Sequence, residues 1–400
     1  MNSAGIIRGA LLALCLTGAG QVQCAVTSRA ELMARMASGP TALDALTPDG
    51  KRAFLDSLRW GDRGLGGFST APLVRELNAA QVADVLRLLD SEQYLDMLTS
   101  DLGDSTPLRF AAPSADIQAA TKAFHKFHDA DVARRRDSPG AGTEPGASAL
   151  VRYYHAAYAA YTPPNQLITR QGTDLLLLFD VAQQVVATSG DARALVDLRA
   201  LFTEFRRRGI DTRRTLDDAM LHALLAGRRF GAARAFADAH PRPGRAAIAR
   251  EVDPLGAGFK GRSVYRFDAA TNTLERSAVA PVQGIELVLV VDAGCHFSEA
   301  ALQAIGSDAS LHERLRRAGL LAITSPRTPI PTRFMAEWNA QYPLLDLRAP
   351  FSAEEWSEVD VTEVPTFFIL ENGRVRNKIA GWPGQEQKAV LLRALDGLAP

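Results

Sequence analysis

The chain has 400 residues, and hydrophobic residues make up 47% of them, which is enough apolar material for two or three ordinary domains. Acidic and basic residues number 45 each, so no net charge draws the whole protein to nucleic acid or to an anionic membrane. Local basic runs such as "ARRRD" and "FRRRG" lie inside predicted helices, where solvated helix faces explain them.

The first 25 residues have the pattern of a secretory signal peptide. One arginine precedes an apolar run from Ala10 to Leu16, and small and polar residues follow. The run is shorter than the ~20 residues of a membrane span. We predict cleavage after Gly20, Cys24 or Ala25, export to the periplasm and no membrane span in the mature chain. Lipid attachment at Cys24 fits less well, because Gln23 stands where a small residue is expected; a buried N-terminal helix is the other alternative.

Residues 28–136 are predicted to be helical, because apolar residues recur every three or four positions. Asn78 and Ser114 are the predicted N-caps of two of these helices. The glycine-rich stretch "GDRGLGGFSTAP" at 61–72 lacks the spacing of a nucleotide-binding loop and is interpreted as a connecting loop. Residues 137–148, rich in Pro, Gly and Ser, form the predicted linker.

Helical periodicity resumes over residues 149–241. Near its end, Gly227, Phe230, Ala233, Phe236 and Ala239 occur in an order that resembles a tetratricopeptide-type helical hairpin. Small residues there would let two helices approach closely, and the aromatic rings would fill the space between them. A second clean copy is not visible, so the pattern predicts one hairpin and no regular solenoid. This helical region is the candidate surface for a protein partner.

From residue 255 to 400 the pattern changes to alternating strands and helices. Two short strands surround a turn at Thr271–Asn272, and "GIELVLVVDAG" is a nearly continuous apolar run typical of a buried strand. A helix, a strand, a helix, two strands and a final helix follow. The order predicts an α/β domain, with a central mixed sheet flanked by helices. The whole chain is therefore predicted to be multidomain, with an all-α helical N-terminal region.

Residues 255–400 resemble the thioredoxin-like superfamily in three motifs that occur in the family's order. These are the buried strand leading to "GCHFS", the segment "TEVPTFFILENGRV", and "IAGWPG" after the last strand. The resemblance implies a thioredoxin-like fold, with Cys295 at the reactive position. It also implies a cis bond before Pro365, with Val364, Pro365, Thr366 and Trp382 on the substrate side. The alternative for Pro365 is an ordinary trans start to an edge strand.

The single thiol limits the chemistry. A helix N-terminus favours an anion, which would favour the Cys295 thiolate, and the neighbouring His296 and Ser298 are candidates to assist it. Ser298 stands where the family carries a second cysteine, so it cannot resolve a mixed disulfide. The resolving thiol must come from outside, from a protein or a low-molecular-weight thiol. This pattern favours disulfide isomerisation or mixed-disulfide reduction, with no cofactor.

Departures from the family pattern keep a second hypothesis open. Gly294 replaces the tryptophan that precedes the first cysteine, and Leu289 lies near the position of the buried strand aspartate. Asp292 lies on the loop instead, so proton transfer would need another group, such as Glu363 or water. Cys295 would then be a buried, inert side chain, and the chain a non-catalytic binding or scaffold protein.

The remaining candidate residues indicate structure rather than chemistry. His125 and His128 share a predicted helix face with Asp129 nearby, but no further ligand completes a metal set, and we predict no metal site. Trp338 and Trp356 are predicted to pack inside the C-terminal domain.

Overall fold

The computed structural model describes residues 26–61, 64–100, 102–137, 146–242, 244–280, 284–343, 345–359, 361, 363–382 and 385–396. The predicted signal peptide at 1–25, which contains Cys15 and Cys24, lies outside these residues. The chain divides into two compact units, Met1–Pro107 and Leu108–Pro400. Within the described residues, no helix combines the length and the hydropathy that a bilayer crossing requires.

The first unit is mainly helical, as the periodicity predicts. Its helices are α1 (Arg29–Ser38), α2 (Pro48–Ser57), α3 (Ala71–Glu76), α4 (Ala79–Leu88) and α5 (Leu95–Thr99), with 3-10 turns at Ala42–Ala45 and Glu92–Tyr94. The predicted N-cap Asn78 is confirmed: its side chain accepts from Gln81 N–H, and the Gln81 side chain accepts from Asn78 N–H. Buried leucines, valines and Phe54 form the core of this unit.

The glycine-rich stretch contains a β-hairpin, so its interpretation as a simple connecting loop was wrong. Strand β1 (Arg59–Gly61) pairs antiparallel with β2 (Gly64–Gly67), with a register shift at Arg59 and Trp60. Trp60 and Leu65 are cross-strand partners and both pack against the core of the first unit. Two apolar side chains thus hold a strand pair that glycine content alone does not reveal.

The second unit begins with seven helices: α6 (Ala115–Asp137), α7 (Gly146–Tyr158), α8 (Pro164–Leu167), α9 (Gly172–Ser189), α10 (Ala192–Arg207), α11 (Leu216–Ala226) and α12 (Phe230–Ala239). The predicted linker at 137–148 overlaps α6 at one end and α7 at the other, and the residues between these helices lie outside the described part. The predicted cap residue Ser114 precedes α6, and the buried carboxylate of Asp174 accepts both its N–H and its hydroxyl.

Helices α11 and α12 pack against each other, and residues at their junction contact the strand region that follows in the chain. Phe230 packs edge-on against Tyr265, with ring centroids 5.8 Å apart. The Arg228 guanidinium donates to the backbone oxygens of Thr328 and Phe351, at 2.7 and 3.2 Å. Burial lowers the pKa of Arg228 to about 10, so its guanidinium is still a cation at neutral pH. Its hydrogen bonds connect helices α11 and α12 to the segments around residues 328 and 351.

The C-terminal region contains eight strands: β3 (Arg250–Val252), β4 (Ser263–Asp268), β5 (Thr273–Ala278), β6 (Ile285–Val291), β7 (Leu320–Thr324), β8 (Ala349–Pro350), β9 (Thr366–Glu371) and β10 (Arg374–Ala380). The turn between β4 and β5 lies at Thr271–Asn272, as predicted. One sheet has the order β10-β9-β6-β7 and the other the order β3-β5-β4-β8. The short strands β3 and β8 were not predicted, since each pairs through too few residues to show a periodicity.

The two four-stranded sheets meet edge to edge at Arg348. Its N–H donates to the Ala322 carbonyl at 3.1 Å, and its own carbonyl accepts from Thr324 N–H at 2.9 Å. This parallel bridge connects β7 to the start of β8. Residues of β6 alternate between two apolar clusters: Leu287, Leu289 and Val291 lie in one, and Val288 and Val290 in the other.

Four helices complete this region: α13 (His296–Ser307), α14 (Ala309–Arg317), α15 (Thr332–Gln341) and α16 (Gln385–Asp396). Each contributes buried side chains to the cluster that contains Leu287. Trp338 and Trp356 are buried, as predicted, and Trp356 packs in the cluster of Val288. The fold class is thus a helical N-terminal region followed by an α/β region with a mixed sheet.

Candidate functional site

Cys295 lies where the buried strand β6 turns into helix α13. The turn passes through Gly294 at φ 77°, a left-handed conformation that glycine adopts without the steric cost of a side chain. The Cys295 N–H donates to the Asp292 carbonyl at 3.3 Å, and the Cys295 carbonyl accepts from Glu299 N–H at 3.0 Å. Cys295 is therefore the N-cap residue of α13, at the start of the helix as expected.

Cys295 is partly exposed, and its sulfur lies against the segment that precedes β9. Cys295 Sγ is 3.6 Å from the backbone oxygen of Val364, and the Val364–Pro365 peptide bond is cis, as the resemblance implies. Among the described residues, no group accepts the Val364 N–H. The structure thus brings Cys295, Val364 and Pro365 together, although they are 69 and 70 positions apart in the sequence.

The Cys295 side chain makes no cap hydrogen bond to the first turn of α13, and its S–H donates to the Val364 carbonyl oxygen instead.

Ser298 anchors the loop that precedes the thiol. Its side chain is fully buried, and its Oγ accepts from the Asp292 N–H at 3.2 Å. The hydrogen bond that the structure gives to this hydroxyl is therefore with the backbone, and Ser298 fixes the Asp292–Cys295 turn on the first turn of α13. By contrast, His296 is exposed, and its ring contacts that of Phe297 at a centroid distance of 5.9 Å.

Asp292 is the half-buried carboxyl group of this loop. Burial raises its pKa above the ordinary value, and the Ala293 N–H opposes that shift as a weaker influence. Leu289, near the place of the family's strand aspartate, is fully buried in the apolar cluster of β6. Glu363, the other acid considered for proton transfer, is exposed. Asp292 is thus the partly desolvated acid in the turn that carries the thiol.

The other two predicted substrate-side residues are mostly enclosed. Thr366 is fully buried, and its hydroxyl donates to the Glu363 carbonyl at 2.6 Å, which fixes the chain just before Pro365. Trp382 is only 5% exposed and its ring packs against Phe367 at 5.7 Å. Both positions stabilise the start of β9, and little of their side-chain surface is open to a substrate.

The sequence analysis missed Phe297. Its side chain is 56% exposed, the highest value among the aromatic residues that the structure describes. The sequence position of Phe297 could have indicated its exposure. Phe297 lies between Cys295 and Ser298, in the first turn of a helix whose buried face begins at Ser298.

The histidine pair on α6 forms no metal site with its neighbours. His128 stacks on Phe124 with an interplanar angle of 3°, and burial lowers its pKa, so the neutral ring is favoured. Across the described ranges, no three His, Cys, Asp or Glu side chains are grouped as metal ligands.

A cavity lies within the first unit. It has a volume of about 300 Å³ and is lined by the glycine-rich strand β2, by Tyr94 and by Met97. A smaller cavity of about 160 Å³ lies beside Arg228 in the second unit.

Comparisons with known proteins found similarity only among solved structures. No family model and no curated protein matches the chain. A thioredoxin-like protein from Bacteroides caccae is 10% identical, over 74% of this chain and 99% of that one, with a TM-score of 0.25. The N-terminal domain of PilB from Neisseria gonorrhoeae is 18% identical, over 30% of this chain and 83% of that one, with a TM-score of 0.24. A thioredoxin-like protein solved in its oxidised form is 13% identical, with the same TM-score and coverages of 30% and 84%.

Within the C-terminal region, the chain's own geometry places Cys295 at the start of the helix after β6 and opposite the cis Val364–Pro365 bond, beside a sheet of order β10-β9-β6-β7. Both placements agree with what the sequence resemblance implies.

Proposed function

We propose that the protein is an exported thiol–disulfide exchange protein that forms mixed disulfides through Cys295. The observation that carries this proposal is the position of Cys295, a partly exposed residue at the N-terminus of α13 whose Sγ is 3.6 Å from the Val364 backbone oxygen. An inert structural cysteine would be expected inside an apolar cluster, and Cys295 belongs to none of the clusters of the described residues.

The reaction begins when the Cys295 thiolate attacks one sulfur of a substrate disulfide. A bond forms between Cys295 Sγ and that sulfur, the substrate S–S bond breaks, and the other sulfur leaves as a thiolate with the electron pair. An external thiol then attacks the mixed disulfide and releases Cys295. That thiol is the substrate's second cysteine in isomerisation, or a low-molecular-weight thiol in reduction. Ser298 has no role as a nucleophile, and its hydroxyl is bound to the Asp292 backbone.

The backbone of Val364 is the proposed docking point for the substrate chain. Its carbonyl oxygen is 3.6 Å from the sulfur, and the Pro365 carbonyl is already bound to Gly381 N–H at 2.8 Å. An extended substrate segment that pairs with Val364 would place its own cysteine beside Sγ. Export supplies the compartment in which such disulfides occur, and the N-terminal signal pattern supports it.

Trapping in the periplasm tests this proposal. The parent chain and Cys295→Ala are expressed with the native N-terminus, thiols are quenched with acid and alkylated, and extracts are separated without reductant. We expect disulfide-linked adducts that map to Cys295 in the parent and none in the variant. If neither chain forms adducts, and the same partners bind both without a covalent link, the chain acts as a scaffold and the exchange proposal is wrong.

A further inference from the structure

Phe297 lies in the first turn of α13, two residues after Cys295, and is an exposed aromatic residue. Helix α13 buries Ser298, Ala301, Leu302 and Ile305 as one face. Phe297 precedes that face by one position, two residues after the thiol, and remains 56% exposed. Aromatic side chains that stay in solvent next to a reactive group are typical of recognition surfaces, since burying them on binding is favourable.

The surroundings of Phe297 are those of a small apolar contact with a polar rim. The exposed His296 ring lies beside it, and the exposed Glu299 lies in the same first turn of the helix. On the other side of the thiol, Val364 is half-buried and offers backbone groups rather than charge. The described residues of this site therefore show no cluster of cations that would select an anionic tripeptide such as glutathione.

We infer that Phe297 selects protein or peptide disulfides whose reactive cysteine is flanked by an apolar residue, over small polar disulfides. The inference rests on the proposed function and deepens it. A segment that pairs with the Val364 backbone lies beside the first turn of α13, where the side chain next to its cysteine can pack on the Phe297 ring. A small polar disulfide reaches the same sulfur without using that ring.

Three chromogenic substrates test the inference with the full reduced chain. Each carries 5-thio-2-nitrobenzoate in a mixed disulfide: a peptide with leucine next to its cysteine, the same peptide with serine there, and glutathione. Cys295 attacks the peptide or glutathione sulfur, the old S–S bond breaks, and the coloured thiolate leaves with the electron pair. Mass spectrometry assigns the adduct to Cys295.

We expect the parent to react about tenfold faster with the leucine peptide than with the serine peptide, the scale of burying part of one apolar side chain. Phe297→Ala and Phe297→Ser should bring the two rates together, while Phe297→Leu keeps most of the preference. Val196→Ala is the matched control, since Val196 is 62% exposed on α10 and should leave the preference unchanged.

The outcomes separate the two proposals. If Phe297→Ala reacts at Cys295 and still prefers the leucine peptide as the parent does, the inference is wrong and the exchange function stands. Equal loss of rate with all three substrates would also overturn it, because that is the behaviour of a structural residue. If Cys295 reacts with none of them in the folded parent, the proposed function itself is contradicted.

Discussion

The Cys295 sulfur is positioned by main-chain groups. The turn before it is bound at both ends, through Cys295 N–H to the Asp292 carbonyl and through Asp292 N–H to the buried Ser298 hydroxyl. On the opposite side, Thr366 binds the Glu363 carbonyl and so fixes the approach to Pro365. Residues without access to substrate thus set the distance between the thiol and the Val364 backbone.

Asp292→Asn should remove a pH-dependent penalty on folding. Because burial raises the native pKa of Asp292, its protonated form is favoured in the folded chain, and stability falls as the pH rises from the unfolded pKa through the raised native pKa. Asparagine keeps the same shape and carries no charge. We therefore expect the variant to gain stability relative to the parent as the pH rises through that window, and to gain little below it.

Urea unfolding of both chains at a series of pH values measures this difference. A difference that stays constant from acid to neutral pH would show that Asp292 ionises as freely in the folded state as in the unfolded state.

Gly306→Ala should destabilise the α13–α15 contact. A Cβ at residue 306 would lie 2.3 Å from Cδ1 of Tyr342, whose ring is stacked on Trp338 at 4.6 Å and has little room to retreat. We expect a loss of about 1–3 kcal/mol in the free energy of unfolding. Gly231→Ala is the control, since a Cβ on this α12 glycine meets no atom within 4 Å. Urea denaturation of both variants should show a loss at 306 and none at 231, and equal effects would contradict the argument.

Part of the site was predictable from sequence at the residue scale. Cys295, Val364 and Pro365 were predicted because the strand-to-helix junction and the Val-Pro-Thr segment are local patterns with a family resemblance. The role of Ser298 as a loop anchor and the exposure of Phe297 depend on which face of α13 is buried. That face is set by packing against β6, which the sequence around the thiol does not reveal.

At the scale of the elements, the sheet β3-β5-β4-β8 is stabilised by a buried ionic network around Arg276. Arg276 on β5 is 2% exposed, and its guanidinium binds Asp253 at 2.9 Å and Glu355 at 2.5 Å. The same group lies over the Phe351 ring at 3.4 Å. It therefore joins β5 to the loop after β3 and to the segment after β8.

Arg276→Ala should loosen these elements together. Removing the buried cation leaves two carboxylates without their partner, a change that costs about 3–5 kcal/mol in comparable buried pairs. Arg333→Ala is the matched control, because the Arg333–Glu337 pair is exposed on α15 and should contribute nothing measurable. Urea unfolding monitored by tryptophan fluorescence compares the two variants. An Arg276 variant as stable as the Arg333 variant would show that the buried network does not stabilise the sheet.

Long strands could be predicted from the sequence, and the shortest strands could not. Strands β6 and β9 have six or seven residues and were predicted with the correct order of helices around them. Strands β3 and β8 have three and two residues and exist because β5 and β4 offer open edges. The pairing of β1 with β2 depends on Trp60 and Leu65, which are cross-strand partners. Such contacts form only in the tertiary structure, so a local sequence periodicity cannot predict them.

At the scale of the whole molecule, the two units have separate apolar cores. Phe54 is fully buried in the first core, where its ring contacts Phe68 at 5.7 Å. The thiol and its supporting elements belong entirely to the second unit. This division predicts that the first core can be weakened without loss of the chemistry at Cys295.

Phe54→Ala should destabilise the first unit by about 3–5 kcal/mol, the usual cost of truncating a buried phenylalanine. Hydrogen exchange read peptide by peptide should show faster exchange in residues 26–100 and unchanged protection in β6, β9 and α13. Accelerated exchange in both units would mean that they unfold as one cooperative body.

The reactivity of Cys295 in the native chain tests the central claim most directly. The reduced protein is mixed with the leucine-flanked peptide disulfide in native buffer and, separately, in denaturant, and the adduct at Cys295 is followed by mass spectrometry. The account predicts a one-to-one mixed disulfide in native buffer, formed without unfolding and abolished in Cys295→Ala. A thiol that reacts only after the chain is denatured would contradict it.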